Sequence, residues 1–244
     1  MSQDSSKSKG FAYFDLDQTL VPWDTQLLFC DWVLKAEPAR RLFLLLFLPM
    51  LVFRAVLGDE GMKRVFLCFL WGMRRDRLAD LVEGFVEHYV PSRFYEEMLE
   101  VLRDEREAGR TTVLVTASPE IYAHAIGARL GFDHTFGTRV EYGDSVPLFP
   151  DFIGGNNKGA VKVERLREEF GAGFDRREGN SGFSDSKADL PMLELCAEVT
   201  AVHPEGMFAE RAEEGGWTVV APVKPWRTRG DFARACLKML LGVF

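Results

Sequence analysis

The stretch Phe11-Ala-Tyr-Phe-Asp15-Leu-Asp17-Gln-Thr19-Leu20 places two carboxylates directly after a short strand-favouring run. The pattern predicts a buried parallel strand whose carboxyl end carries Asp15 and Asp17, where open α/β sheets bind their ligands. Because unpaired charges are costly to bury, we expect a functional site here. Asp15 would act as a nucleophile and Asp17 as an acid or base, with a hard cation holding substrate oxygens beside them. The alternative is a polar strand end, with Thr19 capping the next turn.

Length, charge and cysteine usage narrow the class of protein. The 244 residues fit one core domain with a substantial insertion. The net charge of −7 argues against a nucleic-acid-binding surface. The four cysteines are widely spaced and form no C-x-x-C pair, which fits a reducing cytoplasm. Residues 1–10 are polar and rich in serine and lysine, so we expect a short disordered leader there.

Helical patterns fill the chain between the first predicted strand and the second. Breaks near Pro38, Gly58 and Pro91 divide them, and no strand pattern interrupts them. We therefore predict an all-helical cap at 24–90, inserted into an α/β core of 11–23 and 91–225 with a three-layer parallel sheet. The other predicted elements are strands at 111–116, 138–142, 199–202 and 217–221, helices at 119–130, 158–170 and 205–214, and an amphipathic C-terminal helix at 229–244.

A second stretch, Val113-Leu-Val-Thr116-Ala-Ser118-Pro119, also ends a strand with polar groups. A helix begins at Pro119, so the Thr116 hydroxyl and the N–H groups of Ala117 and Ser118 can converge on one anion. The alternative for Ser118 is a simple helix N-cap.

Two later stretches supply charges of opposite sign. Lys158 and Lys162 open a predicted helix, where the helix dipole disfavours a cation, so an anion is expected near one of them. Solvated surface lysine is the alternative for each. Asp185 and Asp189 lie at a strand-to-helix junction and offer hard oxygen ligands at the same sheet edge. Helix capping is the alternative for Asp189.

In their order along the chain, these four stretches resemble the motifs of the haloacid dehalogenase superfamily of phosphotransferases. The sequences Thr116-Ala-Ser-Pro119 and Gly182-Phe-Ser-Asp-Ser186 are similar to its phosphoserine-phosphatase-like branch, whose cap lies between the first two motifs. Within that branch, the apolar cap run and the Ser184-Asp-Ser186 sequence resemble the bacterial phosphatidylglycerophosphatases. Phosphoserine phosphatases carry different residues around Thr116 and Ser184.

The resemblance implies a Rossmann-like core and a Mg²⁺-dependent phosphomonoester hydrolase. Asp15 would attack phosphorus to give an aspartyl-phosphate, while Asp17 protonates the leaving alkoxide and then activates water. The branch motif Gly159-Ala-Val-Lys162 makes Lys162 the first choice for the active-site lysine and Lys158 the second. Ala188 stands where the branch often has asparagine, so one contact is absent. The metal ligands are expected among Asp15, Asp17 (through its carbonyl), Asp185 and Asp189, and the phosphate or substrate contacts among Thr19, Thr116, Ala117, Ser118, Lys158, Lys162 and Arg64.

Three other functions are alternatives to a phosphomonoester hydrolase that acts on a lipid phosphate. A phosphatase for soluble metabolites and a transferase to an acceptor other than water would use the same residues. A phosphate-binding scaffold without turnover would not need Asp15, Asp17 and Asp185 together, so it is the weakest alternative.

The run Leu42–Phe53 raises the question of a membrane. Its 12 residues are apolar on every helical face, with arginines at both ends. They are fewer than the ~20 that span a bilayer, so the run is either buried in the bundle or placed at a membrane interface. Residues 232–244 have similar character, and contact through both would favour a lipid phosphate as substrate. The basic cap residues near Trp71 either meet an acidic headgroup or form a solvated face: Lys63, Arg64, Arg74, Arg75 and Arg77.

Overall fold

A computed structural model describes residues 9–171, 174–175 and 177–244 of the chain. The expected leader at 1–10 therefore lies, up to residue 8, outside the described residues. The strands are β1 (Phe11–Phe14), β2 (Thr111–Pro119), β3 (His134–Thr138), β4 (Val140–Glu141), β5 (Asp151–Phe152), β6 (Ser181–Ser184), β7 (Glu198–Val202) and β8 (Thr218–Val220). The helices are α1 (Thr25–Ala36), α2 (Leu44–Met50), α3 (Arg54–Phe66), α4 (Arg75–Tyr89), α5 (Glu96–Glu107), α6 (Glu120–Leu130), α7 (Ala160–Phe170), α8 (Leu190–Leu193), α9 (Met207–Glu214) and α10 (Arg229–Leu241).

Six parallel strands form one sheet in the order β3-β2-β1-β6-β7-β8. Side chains of the central strand β1 alternate between its two faces. Phe14 stacks on Phe183 with ring centroids 4.2 Å apart and packs in a cluster with α5 and α6. Tyr13 belongs to the opposite cluster, with α7, α8 and α9. The expected three-layer α/β fold is therefore confirmed.

The helical insertion expected between the first two strands is present as α1 to α4. Asp24 caps α1, accepting the N–H groups of Gln26 and Leu27 at 2.8 and 3.0 Å. Phe29 of α1 and Phe85 of α4 both pack against Tyr122 of α6. One apolar cluster thus joins the cap to one face of the sheet.

The segment Pro38–Leu70 is less regular than the sequence predicts. Short 3₁₀ turns lie on both sides of α2, Pro49 lies within α2, and Gly58 breaks α3 with φ 65°. Among the described residues it is the one helical segment long and apolar enough to cross a membrane, with a mean hydropathy of 2.1. Only 6% of its most apolar window is buried. Phe43 packs in the core, but most of Leu42–Phe53 is exposed, which favours the alternative of an exposed run over one buried in the bundle.

Several other elements begin or end at residues that differ from those expected from the sequence. β2 continues to Pro119 with a register shift after Val115, and β3 begins at His134, where no strand was expected. β4 and β5 form a small antiparallel pair outside the main sheet. α10 is capped by reciprocal hydrogen bonds between Thr228 and Asp231.

Candidate active site

The carboxyl ends of β1, β2 and β6 open into a cavity of about 760 Å³ beneath the cap. Most of the sequence-predicted site residues line it: Asp15, Asp17, Lys162, Asp185 and Asp189, together with Ala117 and Lys158. The chain thus brings side chains from three strand ends and the first turn of α7 to one edge of the sheet, as open α/β folds require.

Lys162 lies at the centre of the carboxylate cluster. Its ammonium donates to Asp15 Oδ1 at 2.7 Å and to Asp189 Oδ2 at 2.8 Å, and its side chain is 1% exposed. Ser184 donates its hydroxyl to the same Asp189 oxygen at 2.8 Å. Gly159, directly before this helix, has φ 61°, a conformation that side-chain-bearing residues rarely adopt. Through its two hydrogen bonds, the buried Lys162 links the end of β1 to the segment after β6.

The cluster carries more negative than positive charge. Burial raises the pKa of Asp15 well above its usual range, and the neighbouring carboxylates add to this against the opposing charge of Lys162. Burial and Asp189 raise the pKa of Asp185 to about 7. Burial disfavours the charge of Lys162, but Asp15 and Asp189 outweigh it and raise the Lys162 pKa. An additional cation would relieve this repulsion.

A magnesium ion fits the donor set at Asp15 and Asp185, because Mg²⁺ prefers carboxylate oxygens and keeps several waters. Thr19 donates to Asp185 Oδ1 at 3.4 Å, which fixes that carboxylate. In the described part of the chain, no group of three or more His, Cys, Asp or Glu side chains is arranged around one point. An ion here would therefore complete its shell with other oxygens, such as the Asp17 carbonyl expected from the sequence.

Asp17 is held by two donors from different elements. The N–H of Thr25 donates to its Oδ1 at 2.7 Å, and the Ser118 hydroxyl donates to its Oδ2 at 2.7 Å. Thr25 and Ser118 are themselves hydrogen-bonded at 2.8 Å through their hydroxyls. The first cap helix and the end of β2 thus orient the Asp17 carboxylate at the cavity wall.

Three of the expected phosphate-binding side chains are buried and do not line the cavity. Thr116 accepts the N–H of Ser118 on its hydroxyl at 3.0 Å, while Thr19 and Ser118 contact Asp185 and Asp17. Among the other expected phosphate contacts, Ala117, Lys158 and Lys162 line the cavity. The side chain of Asn157 donates to the carbonyl of Thr116 at 2.9 Å and so stabilises the end of β2. The phosphate contacts expected of Thr116 and Thr19 remain predictions.

The two candidate lysines have different surroundings. Lys158 lines the outer part of the cavity, where it pairs with Asp59 at 3.2 Å and its side chain is 47% exposed. Its environment is that of a surface lysine bridging the core to the cap. Only Lys162 contacts the proposed nucleophile.

Arg64 points away from the cavity, and its neighbour Lys63 points into it. Arg64 donates to the carbonyl of Pro150 at 2.9 Å and pairs with Asp151, so it fastens β5 to the cap. Lys63 donates to the carbonyl of Ala117 at 2.8 Å and to Asn156 Oδ1 at 3.2 Å, and burial lowers its pKa. Arg64 does not line the cavity, and the substrate contact expected of it remains a prediction.

Three further residues of the site were missed by the sequence reasoning. Asp24, Gln26 and Asn156 all line the cavity. Asn156 follows the glycine pair 154–155 directly before a helix, which is a usable signal for a binding loop. Asp24 looks like an ordinary helix cap in the sequence, and its position beside Asp17 emerges only from the fold.

The comparisons with known proteins point to one enzyme family. The family model described as haloacid dehalogenase-like hydrolase matches residues 12–194. A phosphoserine phosphatase of Mycobacterium tuberculosis is 28% identical over 222 residues, which cover 85% of this chain and 69% of the relative. A histidinol-phosphatase of Neisseria meningitidis is 24% identical, over 87% of this chain and 98% of its own.

A solved structure shares the fold of this chain. A protein of unknown function from Bordetella pertussis is similar over 88% of this chain and 99% of its own, with 26% identity and a TM-score of 0.73. The expected enzyme class, a phosphatase of this type, is confirmed by the family match and the phosphatases among the relatives. The chain belongs to the haloacid dehalogenase-like hydrolase family.

Proposed function

We propose that this chain is a Mg²⁺-dependent phosphomonoester hydrolase that works through an aspartyl-phosphate on Asp15. The observation that carries the proposal is the 2.7 Å contact between the buried Lys162 ammonium and Asp15, at the edge of a cavity large enough for a substrate. A nucleophilic carboxylate needs a neighbouring cation to remain ionised and to approach an anionic phosphate.

Two carboxylates, those of Asp15 and Asp17, carry out the bond-making and proton-transfer steps. An Asp15 oxygen attacks phosphorus, the bond from phosphorus to the ester oxygen breaks, and the leaving alkoxide takes a proton from Asp17. Asp17 then accepts a proton from the water that attacks the phosphoenzyme, which releases inorganic phosphate and restores Asp15. Thr25 and Ser118 keep Asp17 in place for both steps.

Lys162 stabilises negative charge on the phosphoryl oxygens, and Asp189 positions the lysine. Because Asp189 Oδ2 already accepts from Lys162 and Ser184, we assign Asp189 to positioning and not to the ion. Asp15, Asp185 and the Asp17 carbonyl would hold Mg²⁺, which when bound supplies positive charge to the phosphate and fixes its orientation.

The cavity favours a substrate with both a phosphate and an apolar part. Beyond the catalytic cluster its wall is formed by Leu27, Phe47, Leu51, Met62, Phe66 and Leu240. We therefore propose a lipid phosphate, such as phosphatidylglycerophosphate, hydrolysed by a cytoplasmic enzyme at the membrane surface.

A second candidate is a soluble metabolite. Asp24 and Lys63, of opposite charge, line the polar part of the cavity, and both suit a small substrate that carries charged groups. The relatives named phosphoserine phosphatase and histidinol-phosphatase fit this candidate.

A substrate comparison tests the proposal. We expect phosphate release from phosphatidylglycerophosphate in detergent micelles, with Mg²⁺ required and a chelator abolishing it. Phosphoserine and histidinol phosphate serve as the soluble comparison, and Asp15→Asn as the inactive control. Faster turnover of a soluble ester would favour the second candidate. Hydrolysis of no phosphomonoester by folded, Mg²⁺-supplied protein would contradict the proposal.

A further inference from the structure

Exposed apolar side chains are concentrated on two helical segments of the described chain, one in the cap and one at α10. We call Leu45, Leu48, Val52, Val56, Leu237 and Leu241 the apolar rim. The first four belong to the cap, where Leu45, Val52 and Val56 are 75%, 82% and 86% exposed, and the last two belong to α10. A soluble protein rarely leaves such a contiguous apolar run open without an interaction partner.

Both segments that carry the apolar rim contribute to the wall of the active-site cavity. Leu51 of the cap and Leu237 of α10 line the cavity, yet they are 43% and 55% exposed, so they lie at its mouth. Arg41 connects the two segments, donating to the carbonyls of Leu241 at 2.8 Å and Gly242 at 3.1 Å. The apolar wall of the cavity is therefore continuous with the apolar surface outside it.

Both ends of the cap segment are fastened to the protein, so the segment is placed to lie on a membrane and not to cross it. Arg40 donates to the carbonyls of Phe69 and Trp71 at 3.0 Å each, which holds the start of the segment to its end. The break at Gly58 lets α3 return toward the core, where Lys63 contacts Ala117.

All the charged side chains within the apolar cap segment are basic. Residues 38–58 contain three arginines, Arg40, Arg41 and Arg54, and no acidic residue, although the chain has a net charge of −7. Arg54 is exposed and also lines the cavity, and α10 adds the exposed Lys238. Cations beside an apolar surface match the headgroups and the acyl region of an anionic bilayer.

We propose that the apolar rim docks on an anionic lipid bilayer and seats the cavity mouth at its surface. The inference rests on the proposed phosphatase function and adds its site of action. α10 is part of this docking surface although it lies beyond residues 12–194, the region matched by the family model. A phosphate ester with an acyl tail would reach Asp15 with its tail between Leu51 and Leu237.

Vesicle co-sedimentation of the full chain tests the docking. The probes are vesicles of phosphatidylcholine with and without phosphatidylglycerol, at low and high salt. Val52→Glu is the test variant and Val223→Glu its matched control, since the two valines are 82% and 83% exposed. We expect binding that requires phosphatidylglycerol, weakens with salt, falls about tenfold in Val52→Glu and is unchanged in Val223→Glu.

Hydrolysis of p-nitrophenyl phosphate separates the two proposals, because this soluble ester needs no membrane. We expect wild type and both variants to hydrolyse it equally. An active wild type that does not bind the anionic vesicles would overturn the docking and leave the phosphatase proposal intact. Equal binding by Val52→Glu and wild type would also overturn it. A dimer that Val52→Glu converts to monomer, without vesicle binding, would assign the apolar rim to a subunit interface instead.

Discussion

The ammonium of Lys162 lies 2.7 Å from Asp15 Oδ1, and both side chains are buried at the edge of the cavity. The contact joins the first turn of α7 to the end of β1, although 146 residues separate the two positions in the sequence. On this contact we propose Lys162, and not the more exposed Lys158, as the cation that serves the proposed nucleophile.

Replacing each lysine by methionine tests this assignment. We expect Lys162→Met to lower kcat/KM by about a hundredfold or more, because the phosphoryl oxygens and Asp15 lose a buried cation. Lys158→Met is the matched control and should change kcat/KM by less than about threefold, since its pair with Asp59 is exposed. A larger loss in Lys158→Met than in Lys162→Met would show that the assignment is wrong.

The role of Asp17 predicts a change in the rate-limiting step. p-Nitrophenolate is a good leaving group and needs little proton donation, whereas attack by water still needs a base. Asp17→Asn should therefore release about one p-nitrophenolate per enzyme in a rapid burst, followed by turnover about a hundredfold slower than wild type. Stopped-flow absorbance measures both phases. A linear time course at the wild-type rate would remove Asp17 from the mechanism.

The raised pKa of Asp185, about 7, predicts how the metal-free protein responds to pH. An aspartate with a raised folded-state pKa contributes stability that is complete below its ordinary pKa of about 4 and is lost as the pH rises through 7. With a chelator at pH 8, Asp185→Asn should thus melt about 4 °C higher than wild type, and the difference should shrink at pH 5.

Magnesium provides the control for that measurement. Because the cation binds the ionised carboxylate, Mg²⁺ should raise the Tm of wild type at pH 8 and have much less effect on Asp185→Asn. Equal stabilisation of the two proteins by Mg²⁺ would exclude Asp185 as a ligand.

The adjacent residues Lys63 and Arg64 form a matched pair for substrate binding. Lys63→Ala should raise KM by about tenfold, because its ammonium lies in the cavity beside Ala117 and Asn156. Arg64→Ala should leave KM nearly unchanged, since Arg64 contacts Pro150 and Asp151. Steady-state kinetics on the best substrate decides between them, and a KM effect at Arg64 alone would favour the substrate contact expected from the sequence.

The sequence predicts the catalytic cluster well because strand ends are local features. Asp15, Asp17 and Asp185 directly follow apolar strand residues, and parallel strands bring such ends to one edge whatever the loops between them do. The helical insertion is equally readable, because no strand pattern occurs in it.

The sequence fails where orientation depends on distant contacts. Lys63 and Arg64 are indistinguishable as neighbouring basic residues, and which of them faces the cavity depends on how α3 packs against the core. The start of β3 at His134 was missed because its residues, His-Thr-Phe-Gly-Thr, form a strand only through pairing with β2. α10 reads as amphipathic, but its place at the cavity mouth depends on contacts with the cap, such as Arg41 with Leu241.

The most direct test of the mechanism is to locate the phosphoryl group on the protein. Asp17→Asn is mixed with Mg²⁺ and p-nitrophenyl phosphate, quenched in acid within the burst and digested, and its peptides are analysed by mass spectrometry. We predict one added phosphoryl group on the peptide that contains Asp15, and none in the Asp15→Asn/Asp17→Asn double variant. A phosphoryl group on any other residue, or an unmodified Asp15 peptide from protein that has released its burst of p-nitrophenolate, would contradict the account.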